Sequence, residues 1–283
     1  MKNKLKKVNV LKPTFKIAVL MTTYNRVTNT KNCLENLFKC FLPKDFSLNV
    51  FIADSNSPDN TEKIIKKIFP EVDIFNVGDN IFWNQGMIKA WKRSIKINPD
   101  FFLWLNDDTV LHENSIKNIL NDYSIKNNSI IVGVTKDEKG LTYGGRRDFK
   151  DYILSPNGTP QEIKIMNGNF VLVPKQVFEI IGNLNNKFSH SLGDIDYGLN
   201  ALKNGIYIYC TSKIVGHCSK NESVWYKENS FIKRLKVLNS PKGTPLKEYF
   251  YFNKKHFGVI KAIKFLIASF VALIFPNLYG SLK

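Results

Sequence analysis

The first 134 residues alternate short apolar, strand-like runs with helical patterns, and this alternation constrains the fold more than any other feature of the chain. The strand-like runs are residues 16–21 (KIAVLM), 48–53 (LNVFIA), 72–77 (VDIFNV), 101–105 (FFLWL) and 129–134 (SIIVGV). Between them, apolar residues recur at helical spacing. Cys33, Leu34, Leu37, Phe38 and Phe41 do so within residues 30–41, and Ile64, Ile65, Ile68 and Phe69 follow a capping box of Asp59 and Glu62. Met87, Ile88, Trp91 and Ile95 form a third set, and Ile116, Ile119, Leu120 and Tyr123 a fourth within residues 113–123. A strand joined to the next by a helical crossover pairs with it in parallel, so the pattern predicts an α/β fold with a mostly parallel central sheet flanked by helices. Beyond residue 134 the pattern is less regular. Residues 135–162 read as loop, and 163–173 as strand around a turn at Asn167, Gly168 and Asn169. Residues 193–203 read as a helix stopped by Gly205, and 206–210 and 213–216 as two short strands ending at His217.

In an open sheet of this kind, ligands bind beyond the carboxyl ends of the strands. Three predicted strands end there in polar residues: TTYNR at 22–26, Asp54, and Asn106-Asp107-Asp108 after FFLWL. Adjacent carboxylates suit a hard divalent cation, which takes one or two of them together with substrate phosphates. Each feature has a plainer explanation when taken singly. Asp107 and Asp108 can open a turn or cap a helix, Asp54 can form an Asx-turn, and Arg26 can be a solvated charge. Together, at successive strand ends, they point to one cleft. There Asp54 can accept the N3–H of a pyrimidine, Arg26 can meet a phosphate, and a metal at Asp108 can neutralise a diphosphate. Neither a Walker A loop nor a G-x-G-x-x-G run is present, which removes the main support for P-loop and Rossmann readings.

Composition narrows the partners. At 283 residues, 43% of them hydrophobic, the chain can bury a full core as one large domain or two small ones. Its formal net charge of +17 favours anionic partners. The basic residues are scattered or C-terminal and form no recognition module, so nucleic acid is not an expected partner. Cys33, Cys40, Cys210 and Cys218 show no metal-ligand or disulfide spacing, and the basic N-terminal arm, residues 1–15, carries no signal-peptide cleavage site. Both observations suit a cytoplasmic protein. The helical extension expected at 226–283 holds an apolar core at 265–275, broken only by Ser269 and shorter than the roughly 20 residues a membrane-spanning helix needs. Lys254, Lys255, Lys261 and Lys264 precede it among the aromatics Tyr249, Phe250, Tyr251, Phe252 and Phe257. The combination predicts a membrane-associating helix on an anionic surface, peripheral at the inner face of the cell membrane; the alternative is a helix docked on the protein's own core.

As an ordered set, KIAVLMTTYNR, Asp54, WLNDD and GDIDYGLNALKNG resemble the family 2 glycosyltransferases of the GT-A fold, in particular rhamnosyltransferase-like enzymes of bacterial cell-surface polysaccharide synthesis. The resemblance implies a GT-A domain at residues 16–225, with a nucleotide-sugar half at 16–134 and an acceptor half at 135–225. It further implies a nucleotide-diphosphate sugar, UDP- or dTDP-linked, lying across the strand ends and held by Thr22, Tyr24, Arg26, Asp54, Asn106 and Asp107. Trp83 and Asn84, in the loop GDNIFWNQGM, would frame the sugar or diphosphate, although Trp83 equally suits a core position. Asp108 and His217 would bind Mn2+ or Mg2+. The family's base is the acid of a Glu-Asp pair that reads Gly193-Asp194 here, making Asp194 the base; Asp196 is the rival, since residues two apart on a helix do not share a face. The chain departs from the family at that Gly193 and at Asn106, which replaces the first acid of Asp-x-Asp. The implied reaction is inverting transfer of a sugar to a hydroxyl of a glycan or lipid-linked glycan. Two competing readings are a sugar nucleotidyltransferase, which needs a glycine-rich loop where TTYNR stands, and a catalytically degenerate protein that binds nucleotide sugars or anionic polymers.

Overall fold

A computed structural model describes residues 14–220, 228 and 230–276. Residues 1–13 of the expected basic arm, 221–225 of the expected domain, and 226, 227, 229 and 277–283 of the expected extension lie outside the described residues. The N-terminal half runs β1 (Phe15–Thr23), α1 (Val27–Lys39), β2 (Phe46–Asp54), α2 (Thr61–Ile68), β3 (Asp73–Asn76), α3 (Trp83–Ser94), β4 (Phe101–Leu105), β5 (Val110–Leu111), α4 (Ser115–Ile125) and β6 (Ile130–Asp137). There follow β7 (Gly140–Tyr143), β8 (Gly145–Arg146), β9 (Gln161–Ile163), β10 (Ile165–Met166), β11 (Phe170–Pro174), α5 (Lys175–Ile181), α6 (Gly193–Lys203) and β12 (Ile208–His217). The C-terminal helices are α7 (Phe231–Leu238), α8 (Leu246–Phe257) and α9 (Val259–Ile274).

β1 is the hinge of the design: it pairs in parallel with β2 on one side and β4 on the other. Its residues Ile17, Ala18, Val19, Leu20 and Met21 are wholly buried because helices cover both faces of the sheet, which is why the strand reads as an unbroken apolar run. Side chains of β4 alternate between the two cores. Phe102 and Trp104 pack under α3 with Trp91 and Tyr197, whereas Phe101, Leu103 and Leu105 pack under α1 and α4 with Leu34, Leu37 and Ile119. The register sets Thr23 level with Asp54, and Asp54 level with Asn76, so the polar strand ends share one edge as the sequence predicts.

The sheet order is β3-β2-β1-β4-β11-β6-β12-β5. It is mixed, because β11 runs antiparallel to both β4 and β6. That insertion matters for the site: Phe170 pairs with Leu105, which drops the turn at residues 167–169 directly over the end of β4. The stretch 135–162, expected as loop, carries β7, β8 and the start of β9, strands too short to leave a periodicity. The two strands expected at 206–210 and 213–216 are one, β12, whose register shifts between Cys210 and Ile214 and again before Gly216. The expected capping box is absent. Asn60, at φ 59°, caps α2, and the Asp59 carboxylate instead accepts from the Thr61 N–H and from Val27 N–H at 2.9 Å, fastening the start of α1.

Candidate active site

At the edge where the polar strand ends gather, the predicted residues divide into exposed and supporting groups. Thr22 supports: its hydroxyl donates to the Ala53 carbonyl at 3.2 Å, and a Cβ on Gly86 would collide with it, so it locks α3 against β1. Asp54 is buried, with its carboxylate accepting from the Ser57 hydroxyl and, at 3.3 Å, from the Ser57 N–H. Burial pushes its pKa above the ordinary value while those hydrogen bonds oppose the shift. Tyr24 is 55% exposed, on a turn that Asn25 closes at φ 54°, and is free to meet a ligand.

The acid pair is already engaged. Arg26 Nη1 donates to Asp108 Oδ2 at 2.9 Å and to Asp107 Oδ1 at 3.1 Å, so the guanidinium expected on a phosphate lies instead on the carboxylates. Asp107 is nearly fully buried, and burial with Asp108 alongside raises its pKa to about 6 against the opposing pull of Arg26. Its Oδ2 has no hydrogen-bond partner among the described residues. Cys218 Sγ sits 3.5 Å from Asp108 Oδ1 and also accepts from Asn169 Nδ2; burial pushes this thiol up to about 12, so it stays protonated. His217, expected as a metal ligand beside Asp108, does not join it. Successive residues leaving a strand point to opposite sides, so Cys218 takes the inward place and the His217 ring lies edge-on to His112, centroids 5.2 Å apart.

The two halves meet at Trp83. Its indole N–H donates to Asn106 Oδ1 at 2.7 Å, so Asn106, replacing an acid, acts as an acceptor that aims the ring. The ring covers Gly168, where a Cβ would lie 2.6 Å from it. Beneath lies Asp194, whose Oδ2 accepts from Gly168 N–H at 2.9 Å and whose Oδ1 accepts from Ile195 N–H at 2.8 Å. Burial raises the Asp194 pKa above its ordinary value, opposed by those two N–H groups and by the charge of Arg146. Asn84 is not a donor contact: it is fully buried, and its Nδ2 donates to the carbonyls of Phe188 and Asn185 at 2.8 and 2.9 Å. Asp196 points away from the cleft into a buried cluster, with Lys255 Nζ and His256 Nε2 each 2.7 Å from its Oδ1. A carboxylate so paired is a poor proton acceptor, and its pKa is lowered by His256 and Lys255 despite burial.

The donor set suits a divalent cation. Two adjacent carboxylates, one with a buried oxygen that lacks a partner, need a positive charge, and in this structure Arg26 supplies it. No group of three or more His, Cys, Asp or Glu converges among the described residues, so a cation held by the acid pair would take its remaining ligands from substrate phosphate and water. Sequence reasoning missed Arg146, Cys218 and His190. His190 Nδ1 lies 3.4 Å from the Trp83 N–H, and burial takes its pKa down to about 4. Its place just before the Gly193-Asp194 helix start was the available signal.

Residues 18–182 match the family model described as glycosyl transferase family 2. Comparison with curated proteins gives no match. Among solved structures, Staphylococcus aureus TarS 1-349 in complex with UDP-GlcNAc is similar at TM-score 0.56 and 16% identity, over 83% of this chain and 67% of that one. A mannosyltransferase of Pyrobaculum calidifontis in complex with GDP-Man and Mn2+ superposes at TM-score 0.55 and 16% identity, over 95% of this chain and 81% of its own. GalNAc-T7 with UDP, GalNAc and Mn2+ does so at 0.58 and 12%, over 89% of this chain and 53% of its own. These likenesses are of fold, GT-A-like in each case. The family match spans more than half the chain, over the strands that carry Thr22, Asp54 and the acid pair, and the chain therefore belongs to glycosyl transferase family 2.

Proposed function

We propose that this glycosyltransferase moves a hexosyl group, with inversion, from a UDP- or dTDP-sugar to a hydroxyl of a glycan or lipid-linked glycan in bacterial surface polysaccharide synthesis, such as capsule or O-antigen. The observation that carries the reading is the connected path from base to acid pair: Asp194 to Gly168, Gly168 under Trp83, Trp83 to Asn106, and Asn106 next to Asp107. Asp194 is half-buried, with a pKa raised above its ordinary value, as suits a general base. It takes the acceptor hydroxyl proton as the oxygen attacks the anomeric carbon, and the bond to the nucleoside diphosphate breaks on the opposite face, a role typically worth about 10² to 10⁴ in rate. Trp83 and the Gly168 backbone wall off the sugar, and Asp54 and Tyr24 face the nucleotide. Mn2+ or Mg2+ held by Asp108 and Asp107 would supply charge neutralisation at the diphosphate. The Mn2+ in the GalNAc-T7 and mannosyltransferase complexes supports that choice, and the UDP in the TarS and GalNAc-T7 complexes supports a UDP-linked donor.

Asp194→Asn is expected to lower transfer at least a hundredfold while a UDP-sugar still raises Tm as in the parent. Turnover retained in that variant moves the base elsewhere. Chelation is expected to abolish transfer and added Mn2+ or Mg2+ to restore it; activity indifferent to chelator removes the metal.

A further inference from the structure

α9 turns an apolar face outward. Ile260, Ile263, Ile267, Phe270, Val271 and Ile274 are each between 47% and 69% exposed, while Ala262, Ser269, Ala272 and Leu273 are buried on the opposite side. At 3.6 residues per turn the six exposed residues fall within an arc of about 100°. Single exposed apolar side chains are ordinary on a protein surface; a continuous row of six is not. Lys264 and Lys261 follow along one edge of the row, and Lys261 Nζ stands 4.2 Å from the Phe257 ring centroid.

We propose that this face of α9 docks on an anionic lipid bilayer, the helix lying flat with its apolar row among the acyl chains and Lys261 and Lys264 at the headgroups. Charge complementarity favours this occupant, in a chain of formal net charge +17. Sixteen residues give a helix of about 24 Å, short of the roughly 30 Å hydrocarbon core, and no described helix is long and apolar enough to cross. The docking surface is also fixed relative to the chemistry. α9 packs on α8, α8 holds Asp196 of α6 through Lys255 and His256, and Glu248 accepts from the Ser189 hydroxyl at 2.7 Å just before α6. The bilayer then lies at a set position from Asp194, suited to an acceptor carried on lipid; the docking itself does not depend on the assignment of that base.

The test is flotation of the full chain with phosphatidylglycerol-containing vesicles and with pure phosphatidylcholine vesicles, alongside light scattering in solution. The parent is expected to be monomeric and to float with the anionic vesicles. Ile263→Ser/Ile267→Ser/Phe270→Ser and Lys261→Glu/Lys264→Glu should each partition at least tenfold less, with the Tm and the UDP-induced Tm shift of the parent retained as evidence of folding. Parent left in the soluble fraction, equal flotation with neutral vesicles, variants that bind like the parent, or a dimer that the triple serine variant dissociates would each overturn the proposal. Loss of the UDP shift in the parent would count against the proposed function instead, leaving the lipid result to stand by itself.

Discussion

Gly193 and Asn84 interlock. A Cβ at 193 would collide with Asn84 Oδ1, and Asn84 is pinned by its bonds to the 185 and 188 carbonyls, so it cannot retreat. The missing Glu of the family's pair is thereby explained in part: the space above residue 193 holds an amide anchored from α3. Gly193→Ala is expected to cost about 1 to 3 kcal/mol by overpacking, and adding Asn84→Ala should cost less than the sum of the two single changes, by thermal or denaturant unfolding. Asp194 carries the pH prediction. Its carboxyl must be ionised to accept a proton and burial raises its pKa, so kcat/KM should fall with acid through a value above the roughly 4 of an ordinary aspartate. A limb at or below that value in a pH–rate profile contradicts the assignment. The places of Asp194 at a helix start and of the acid pair at a strand end were legible because local motif and element boundary coincide. The supporting role of Asn84 and the outward turn of His217 were not, since both depend on partners a hundred residues away.

α8 acts on α6 as a clamp, and Asp196 is its grip. Its carboxylate is almost wholly buried between Lys255 and His256, with Asn185 Nδ2 3.4 Å away. Asp196→Asn removes one partner from a buried charge cluster and is expected to destabilise by roughly 3 kcal/mol, read as a drop of several degrees in Tm. Because the Asp196 pKa is held down in the folded state, that contribution is fully present above the ordinary aspartate value and is lost as pH falls through the depressed one. The stability gap between parent and variant should therefore narrow in acid. The parallel core, β1 to β4, was readable from its buried apolar runs, and α6 from its spacing and its glycine stop at φ 75°. The antiparallel course of β11 was not, because composition carries no strand direction. The grip of α8 was invisible for a similar reason: Lys255, expected among the lysines at an anionic membrane surface, lies instead on Asp196, a partner that only the packing of α6 against α8 reveals.

At the scale of the molecule, polar strand ends gather on one edge of a sheet within a strongly cationic chain. Long-range attraction should then assist capture of an anionic donor. Raising salt from about 0.01 to 1 M shortens the screening length from roughly 30 to 3 Å, so kcat/KM for the donor should fall several-fold with kcat little changed, as initial rates will show. The boundary expected at residue 134 falls inside β6, so residues 16–134 and 135–225 are not separate bodies. One hydrogen-bonded sheet carries both, through the ladders β4 to β11 and β11 to β6. A clamshell that opens between the halves to release nucleotide is therefore closed to this architecture, because opening would tear those ladders. The parts left free to move at this edge are small: the exposed turn at Tyr24, and the Arg26 guanidinium, whose side chain is 40% exposed where it meets its two carboxylates.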